Sequence, residues 1–261
     1  MVRPRVIPCL LLQGAGLVKT VRFAKPRYIG DPINSVKLFN DLEVDELVLL
    51  DIDAARDRRA PDLDRLQAIA SEAFMPIAYG GGVESPRHAE ALFKRGAEKI
   101  IITTAAARNP KMLRDFVAAF GSQSIVAGID VKSTWWRGLG AFASAGHARI
   151  SGDPIALARE FEGQGAGEIL VNSIDRDGTM SGYDLPLIRG IADAVRVPVI
   201  ASGGAGQLDH LSQAIAAGAS AVAAGSMFVY RGPHRAVLVN YPTQAQLARL
   251  IPVPDNPKSG G

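Results

Sequence analysis

Residues 76–106, PIAYGGGVESPRHAEALFKRGAEKIIITTAA, recur in altered form as residues 198–228, PVIASGGAGQLDHLSQAIAAGASAVAAGSMF. The two stretches align without a gap, with every position of the second lying 122 residues after its counterpart in the first. Each contains a short apolar run, a glycine turn, a helical stretch that ends in Gly-Ala, and a second apolar run closed by a hydroxyl residue. This order predicts two parallel strands joined by a crossover helix.

The rest of the chain continues the alternation of strands and helices. The predicted strands are Arg5–Leu12, Asp45–Asp53, Met75–Tyr79, Lys99–Thr104, Ser124–Val131, Glu168–Ile174, Val197–Ser202 and Ala219–Ser226. Helices are predicted over residues 31–42, 62–73, 85–95, 110–120, 154–164 and 184–195, and in the second copy of the repeat. The expected fold is therefore α/β, a (β/α)8 TIM barrel with an internal half-barrel duplication and a parallel eight-stranded sheet.

Three segments lie outside this alternation. Residues 13–30 form a first loop longer than usual, which makes them a candidate active-site lid. Residues 132–150 form a polar insertion. Residues 1–251 are expected to make one barrel domain, and residues 252–261, rich in Pro, Gly and polar residues, a disordered tail.

Composition excludes several classes of protein. The 261 residues are 48% hydrophobic and include 27 glycines, which suits a buried parallel sheet with many tight turns. The net charge of +3 comes from dispersed Lys and Arg, so we expect anionic small molecules and not nucleic acid as ligands. No apolar run reaches membrane-spanning length, no signal peptide is evident, and the single cysteine cannot form an internal disulfide, so we expect a cytoplasmic protein with no membrane partner.

The glycine turns predict two anion sites. In a TIM barrel the turn after strand seven and a short helix after strand eight commonly bind phosphate, because backbone N–H groups converge there. Glycines also occur simply because turns are tight, but two copies that each pair with a hydroxyl on the next strand favour phosphate binding. A substrate with a phosphate at each end is implied. The candidate residues are Gly203, Gly204, Gly225 and Ser226 in one half, and Gly81, Gly82, Thr103 and Thr104 in the other.

Acidic residues follow several strands at their carboxyl ends, which form the catalytic face of such a barrel. They can act as general acid or base, or orient substrate hydroxyls. The alternative is capping of the following helix, which is expected for Asp31 and plausible for Asp177. Asp130 ends a strongly apolar strand with Lys132 nearby, and we predict a functional role for it. The set comprises Asp51, Asp53, Asp130, Asp175 and Asp177.

A second group of charges stands at the opposite, amino-terminal rim: Arg5, Glu46, Lys99 and Glu168. Glu46 and Glu168 again lie 122 residues apart. Pointing inward, these side chains would close the bottom of the barrel as a ring of salt bridges. Pointing outward, they would be ordinary solvated charges that contribute little. The spacing leaves both alternatives open.

Other reactive residues carry less information. Cys9 is expected to be a buried core residue. The histidines are scattered without metal-ligand spacing, and we predict neither a metal site nor a cofactor. Trp135 and Trp136 could form an exposed platform for a partner or substrate, or could anchor the insertion to the barrel.

Taken together, the motifs IPCL, LVLLDID, GGGVES, TTAAARNP, GIDVK, NSIDRDGTMSGYD and PVIASGGAG resemble the cyclase subunit of imidazole glycerol phosphate synthase over nearly all of residues 3–230. The resemblance implies a TIM barrel that forms a heterodimer with a glutaminase subunit, whose ammonia passes through the barrel to an active site at its top. It implies that Arg5, Glu46, Lys99 and Glu168 form the ammonia gate, and that the glycine turns hold the two phosphates of a ribonucleotide substrate. Further substrate-binding residues implied are Lys19, Asp175, Asp177, Gly178 and Thr179.

One position departs from that family. Its cyclase uses two aspartates as acid and base, at the ends of strands one and five. The second is present as Asp130, but Leu11 occupies the position of the first. A leucine cannot exchange protons, and loss of one member of an acid–base pair costs orders of magnitude in rate.

IPCLLL, GLVKTVRF, PRYIGDPIN and FVYRGPHRAVLVNYP resemble a paralogous branch associated with glycosyl amidation in bacterial surface-polysaccharide clusters. That branch implies a subunit that conducts ammonia to a separate sugar amidotransferase, which converts an acetamido to an acetamidino group on a nucleotide-linked sugar for O-antigen. One alternative is the histidine-pathway lyase reaction, which yields imidazole glycerol phosphate and an aminoimidazole carboxamide ribonucleotide. A further alternative is a non-catalytic scaffold that binds a phosphorylated small-molecule ligand.

Overall fold

The structure is a computed structural model that describes residues 3–57, 59–136, 138–144 and 146–250. The tail predicted over residues 252–261 lies outside the described residues. The strands are β1 (Arg5–Gln13), β2 (Gly16–Val21), β3 (Ala24–Gly30), β4 (Leu47–Asp51), β5 (Ile77–Gly80), β6 (Lys99–Ile102), β7 (Ile125–Thr134), β8 (Gly138–Ala143), β9 (Ala148–Ser151), β10 (Glu168–Ser173), β11 (Val199–Ser202), β12 (Ala221–Ala224), β13 (Tyr230–Arg231) and β14 (Ala236–Val237).

The helices follow the same alternation. They are α1 (Pro32–Asp41), α2 (Ala54–Asp57), α3 (Leu63–Ala70), α4 (Pro86–Phe93), α5 (Thr104–Arg108), α6 (Leu113–Phe120), α7 (Pro154–Gly163), α8 (Leu185–Ala192), α9 (Leu208–Ala216), α10 (Ser226–Val229) and α11 (Gln244–Leu250). Several begin as predicted: Asp31 caps α1 by accepting from the Asn34 N–H, and Pro32 occupies the first turn. Among the described residues, no helix is both long and apolar enough to cross a membrane.

The predicted barrel is confirmed. Within the described residues, eight parallel strands pair in the order β1, β4, β5, β6, β7, β10, β11, β12, and β1 pairs with both β4 and β12, which closes the sheet. Side chains of each strand alternate between two cores. On β1, Ile7, Cys9 and Leu11 face the lumen, whereas Leu10 and Leu12 pack against the surrounding helices.

The prediction of a first loop without regular structure was wrong. Residues 16–30 instead form a hairpin, in which β2 pairs antiparallel with the end of β1, and β3 pairs with β2. The predicted polar insertion likewise contains β8, antiparallel to an extended β7, and β9, paired with β8. Strand pairing satisfies backbone N–H and C=O groups that a bare loop would leave to water, so both strands continue above the barrel mouth as ribbons.

The duplication extends to the packing of the helices. Phe39 of α1 and Phe161 of α7 lie 122 residues apart, and both are fully buried. Each fills the layer between a helix and the outer face of the barrel. The two halves are therefore stabilised by the same contact.

We expect Phe39→Ala and Phe161→Ala each to lower the free energy of unfolding by about 3–5 kcal/mol, because each removes a buried ring and leaves a cavity. Leu38→Ala is the control, since Leu38 lies next to Phe39 but is 48% exposed. Its effect should stay within about 0.5 kcal/mol. Urea denaturation measures all three. If Phe39→Ala were as mild as Leu38→Ala, helix α1 would not be held to the barrel by this ring.

Candidate active site

A cavity of about 270 Å³ lies at the carboxyl ends of the barrel strands. This is the face on which TIM barrels place their active sites. The structure brings most of the sequence-predicted site residues into its wall. They are Lys19, Gly81, Gly82, Thr103, Thr104, Asp130, Asp177, Gly178, Gly203, Gly204, Gly225 and Ser226.

Asp175 and Thr179 have other contacts. A carboxylate oxygen of Asp175 accepts from the Ser133 N–H at 2.7 Å, which joins the 175–179 turn to β7. The Thr179 hydroxyl donates to the Arg176 carbonyl oxygen at 2.7 Å, inside the same turn. In the described structure these two residues shape the loop beside the cavity, and their predicted contact with substrate remains a prediction.

The two glycine turns adopt the same backbone conformation. Gly81 and Gly203 have φ of 118° and 88°, which lie in the region that favours glycine. A Cβ at Gly81 would lie 2.4 Å from the Asp51 carbonyl oxygen, and one at Gly203 would lie 2.7 Å from that of Ser173. The positions that they approach, 51 and 173, are again 122 residues apart. Both turns must therefore be glycine, and both present backbone to the cavity.

Lys19 supplies a buried cation beside one of these turns. Its Nζ donates to the Cys9 carbonyl oxygen at 3.0 Å, and the residue is only 6% exposed. A Cβ on Gly225 would lie 1.8 Å from that Nζ, so the lysine side chain occupies the space left by the glycine. The amino group thus stands next to Ser226 at the start of α10, where an anionic group would be favoured.

Asp177 fastens the β2–β3 hairpin over the cavity. One of its carboxylate oxygens accepts from the Thr20 hydroxyl at 2.8 Å, and its carbonyl oxygen accepts from the Arg22 N–H at 2.9 Å. Burial raises the pKa of Asp177, although Lys19 and the Thr20 hydroxyl oppose the shift. The alternative that Asp177 caps a helix is wrong, because Asp184 caps α8 by accepting from the Leu187 N–H.

Asp130 is the acid–base candidate of the cavity. It lies in the lumen-facing series of β7, and burial raises its pKa to about 7, with the Asn172 hydrogen bond lowering it and Asp177 raising it further. The Asn172 amide donates to an Asp130 carboxylate oxygen at 3.3 Å. A carboxyl group with a pKa near neutrality can both accept and donate a proton under ordinary conditions. Leu11, which also lines the cavity, offers no such group.

Sequence reasoning missed Asn172. The residue interrupts the apolar run EILVNS of β10, and a polar side chain within a buried strand was the available signal. Its Oδ1 is buried and has no hydrogen-bond partner within the described residues. An unpaired acceptor in a cavity wall is costly unless a ligand or water satisfies it. Asn172 therefore belongs with Asp130 to the polar part of the site.

The acidic residues after β4 stabilise local structure. Both carboxylate oxygens of Asp51 accept from an Arg59 guanidinium nitrogen at 2.7 Å, and one also accepts from the Ala54 N–H. Asp53 accepts from the Gln13 side-chain amide at 3.0 Å. These contacts order the loop after β4 and tie it to β1.

At the opposite end of the barrel, the four rim charges form a closed ring. Arg5 pairs with Glu46 and, at 2.8 Å, with Glu168; Lys99 pairs with Glu168 at 3.0 Å and with Glu46 at 3.3 Å. The exposed fractions of the four side chains range from 4% for Glu46 to 26% for Arg5. Of the two alternatives that the sequence left open, the inward-pointing ring of salt bridges is therefore confirmed, and the outward-pointing solvated charges are not observed for these four residues.

The two cations and two carboxylates of the ring balance one another's charge. Burial works against the charge on Arg5, but Glu46 and Glu168 outweigh it and raise the pKa of Arg5. Each glutamate keeps one buried oxygen without a hydrogen-bond partner among the described residues. Removing one member of a buried ion pair leaves an uncompensated charge, which costs about 3–5 kcal/mol. Such a ring closes the lumen firmly and still retains polar acceptors.

The family model and the relatives that match this chain all point to the same protein family. The family model described as histidine biosynthesis protein matches residues 5–234. A protein of Pseudomonas aeruginosa, provisionally named imidazole glycerol phosphate synthase subunit hisF2, is 50% identical over 243 residues, covering 93% of this chain and 97% of its own. One of Leptospira borgpetersenii, provisionally named subunit HisF, is 44% identical over 254 residues, covering 97% and 100%. The imidazole glycerol phosphate synthase subunit HisF of Pyrobaculum aerophilum is 46% identical over 231 residues, covering 87% and 90%.

The raised pKa of Asp130 predicts a pH-dependent effect of its removal. An ordinary aspartate has a pKa near 4, so between about pH 4 and pH 7 the folded state binds a proton more tightly than the unfolded state, and stability falls as pH rises. We expect Asp130→Asn to raise the free energy of unfolding, with a larger gain at pH 8 than at pH 5, measured by urea denaturation. Asp209→Asn, at an exposed aspartate of α9, is the control. Equal gains at both pH values would contradict a raised pKa at Asp130.

Proposed function

The chain belongs to the histidine biosynthesis protein family, and we propose that it is the synthase-type subunit of a glutamine amidotransferase, which conducts ammonia from a glutaminase partner for amidation of a nucleotide-linked sugar. The observation that carries the proposal is the composition of the cavity. It keeps Asp130 and both glycine turns but has Leu11 where ring closure would need a second carboxyl group. The barrel is equipped to receive ammonia and a phosphorylated ligand, and lacks one half of the acid–base pair.

The lumen between the ring and the cavity supports this function. Its wall is made of apolar side chains such as Ile7, Val48 and Leu170, with the small residues Ala78 and Ala223 between them. An apolar passage favours neutral ammonia over ammonium, because a charge pays a large desolvation cost there. The thiol of Cys9 also faces this passage, and burial raises its pKa to about 11, so it stays neutral and unreactive.

The ring at the amino-terminal rim is the proposed point of entry. Glu46 and Glu168 each hold an unpaired buried oxygen toward which ammonia could donate a hydrogen bond. Each glutamate is held by both cations, so one ion pair can open while the other keeps the carboxylate neutralised. The partner glutaminase would dock on this rim.

A second candidate is the cyclase and lyase reaction of imidazole glycerol phosphate synthase, which yields imidazole glycerol phosphate. It is favoured by the names of the relatives and by the retained Asp130 and glycine turns. A third, a scaffold that binds a phosphorylated ligand without conducting ammonia, would need the glycine turns and Lys19 alone.

Ammonia conduction predicts that this chain stimulates glutamine hydrolysis by its glutaminase partner. With amide-15N glutamine and the acceptor enzyme present, we expect Lys99→Met to reduce several-fold the share of hydrolysed nitrogen that reaches product, because the opened ring admits water. Arg5 still pairs with both glutamates in this variant, and urea denaturation checks that it stays folded.

The matched control is Lys94→Met at the C-cap of α4, where an exposed lysine pairs with Glu90. A scaffold would show neither stimulation nor any difference between the two variants. Absence of stimulation by the unaltered chain would count heavily against the proposal.

Complementation separates the first two candidates. In a histidine auxotroph that lacks its own cyclase subunit, we expect this chain to give no growth without histidine, because Leu11 cannot exchange a proton. Leu11→Asp should restore weak growth at best, since the hairpin above the cavity also differs. Vigorous growth with the unaltered chain would establish the cyclase reaction instead.

A further inference from the structure

Trp135 and Trp136 form an exposed aromatic pair that directly follows β7, beyond the carboxyl end of this barrel strand. They are the only tryptophans in the sequence, and they are 86% and 83% exposed. Their ring centroids lie 4.1 Å apart at an interplanar angle of 55°. The alternative that they anchor the insertion to the barrel is wrong, because side chains so exposed cannot be packed against it. Exposed apolar groups of this size are typical of interaction sites.

The hairpin that carries the pair is braced. The pairing of β7 with β8 runs to Thr134 opposite Gly138, directly below the tryptophans. Arg149 of β9 donates to the Thr134 hydroxyl at 3.1 Å and to the Leu139 carbonyl oxygen at 2.9 Å. Its guanidinium crosses Gly140, where a Cβ would lie only 2.7 Å from Nε. The indoles are therefore presented by an ordered ribbon, which reduces the entropy lost on binding.

The position of the two tryptophans argues against a small molecule as their binding partner. Thr134 lies four residues beyond Asp130 on the same strand. Neither tryptophan is among the described residues that line the cavity. A phosphorylated ligand seated on the glycine turns would not reach them, whereas a protein that covers the mouth of the barrel would.

The charge around the mouth indicates what such a protein would present. Exposed cations outnumber exposed acids in the segments that follow the carboxyl ends of the barrel strands: Arg22, Lys25, Arg27, Arg108 and Arg176. Two exposed acids lie on the same side: Asp57, which is paired with Arg56, and Glu84, which lines the cavity. Complementarity requires an acidic collar around an apolar centre on the partner.

We infer that Trp135, Trp136 and this basic rim form the docking surface for the enzyme that consumes the ammonia. The inference rests on the proposed function: if no cyclisation follows in a barrel with Leu11, ammonia must leave at the top, and water would protonate it unless the acceptor covers the mouth. Tryptophan and arginine are the residues that most often dominate such interfaces. The glutaminase and the acceptor thus bind opposite ends of one barrel.

Fluorine NMR tests the docking directly. The full chain is labelled with 5-fluorotryptophan, so that both signals come from this surface, and is titrated with an unlabelled enzyme that amidates a nucleotide-linked sugar. We expect both signals to shift or broaden with the acceptor, and neither to change with the glutaminase. A change on concentrating the chain alone would indicate pairing of two copies, and a change with the nucleotide-linked sugar alone a ligand platform. Either result, or no change with the acceptor, would overturn the inference.

Substitution supplies a second measurement. We expect the double change Trp135→Ala, Trp136→Ala to weaken acceptor binding about thirty-fold or more, as loss of a central interface cluster does. Stimulation of the glutaminase should be unchanged, because that partner binds the other end. Phenylalanine at both positions should recover most of the binding, and Leu38→Ala on the outer flank is the control.

The two proposals fail in different ways. If the unaltered chain does not stimulate the glutaminase, the ammonia-conducting function itself is wrong. If stimulation and nitrogen transfer occur but the alanine variant binds and transfers normally, the function stands and the docking surface is wrong.

Discussion

The pairing of β1 with both β4 and β12 is the constraint on which the rest of the structure depends. It closes the sheet, and an eight-stranded closed sheet has an interior just wide enough to be filled by its own side chains. Alternate residues of each strand must then be small or apolar in the middle and can be polar only at the two ends. The ring of charges, the apolar lumen and the polar cavity are consequences of that single closure.

The two ends handle buried charge differently. At the amino-terminal rim, Glu46 and Glu168 each pair with two cations, Arg5 and Lys99, although both glutamates are largely buried. At the carboxyl end Asp130 has only the amide of Asn172 and the repulsion of Asp177, and its pKa rises to about 7. A fixed charge suits a structural closure, and a carboxyl group that changes protonation near neutrality suits chemistry.

With Leu11 in its wall, the cavity keeps its proposed ligand-binding residues but lacks one of the two carboxyl groups implied for the reaction. The glycine turns and Lys19, which we propose as the anion site, line the cavity, and Asp177 bonds to the hairpin beside it. Of the two aspartates that the family resemblance implies as acid and base, only Asp130 is present, and Leu11 occupies the other position. A barrel of this kind can lose a reaction and keep its fold, because the fold depends on the closed sheet and the reaction on single side chains.

Local pattern in the amino-acid order was enough for the barrel, the duplication, the glycine turns and the placement of Arg5, Glu46, Lys99 and Glu168 at one rim, whereas their inward pairing as a ring comes from the structure alone. These features follow from periodicities of two and 3.6 residues and from an offset repeated along the chain. The residues that follow β1 and β7 gave no such pattern. Whether they form loops or ribbons depends on pairing with strands that are themselves held in the barrel, and the tertiary structure alone shows it.

The same holds for contacts between distant segments. Lys19 beside Gly225, Asn172 on Asp130, and Thr20 on Asp177 join parts of the chain up to some two hundred residues apart. The exposure of Trp135 and Trp136 is likewise a property of the folded ribbon. The sequence alone was compatible with either buried or exposed tryptophans at these positions. Periodicity is a local property of a chain, whereas proximity and exposure arise only when the whole sheet has closed.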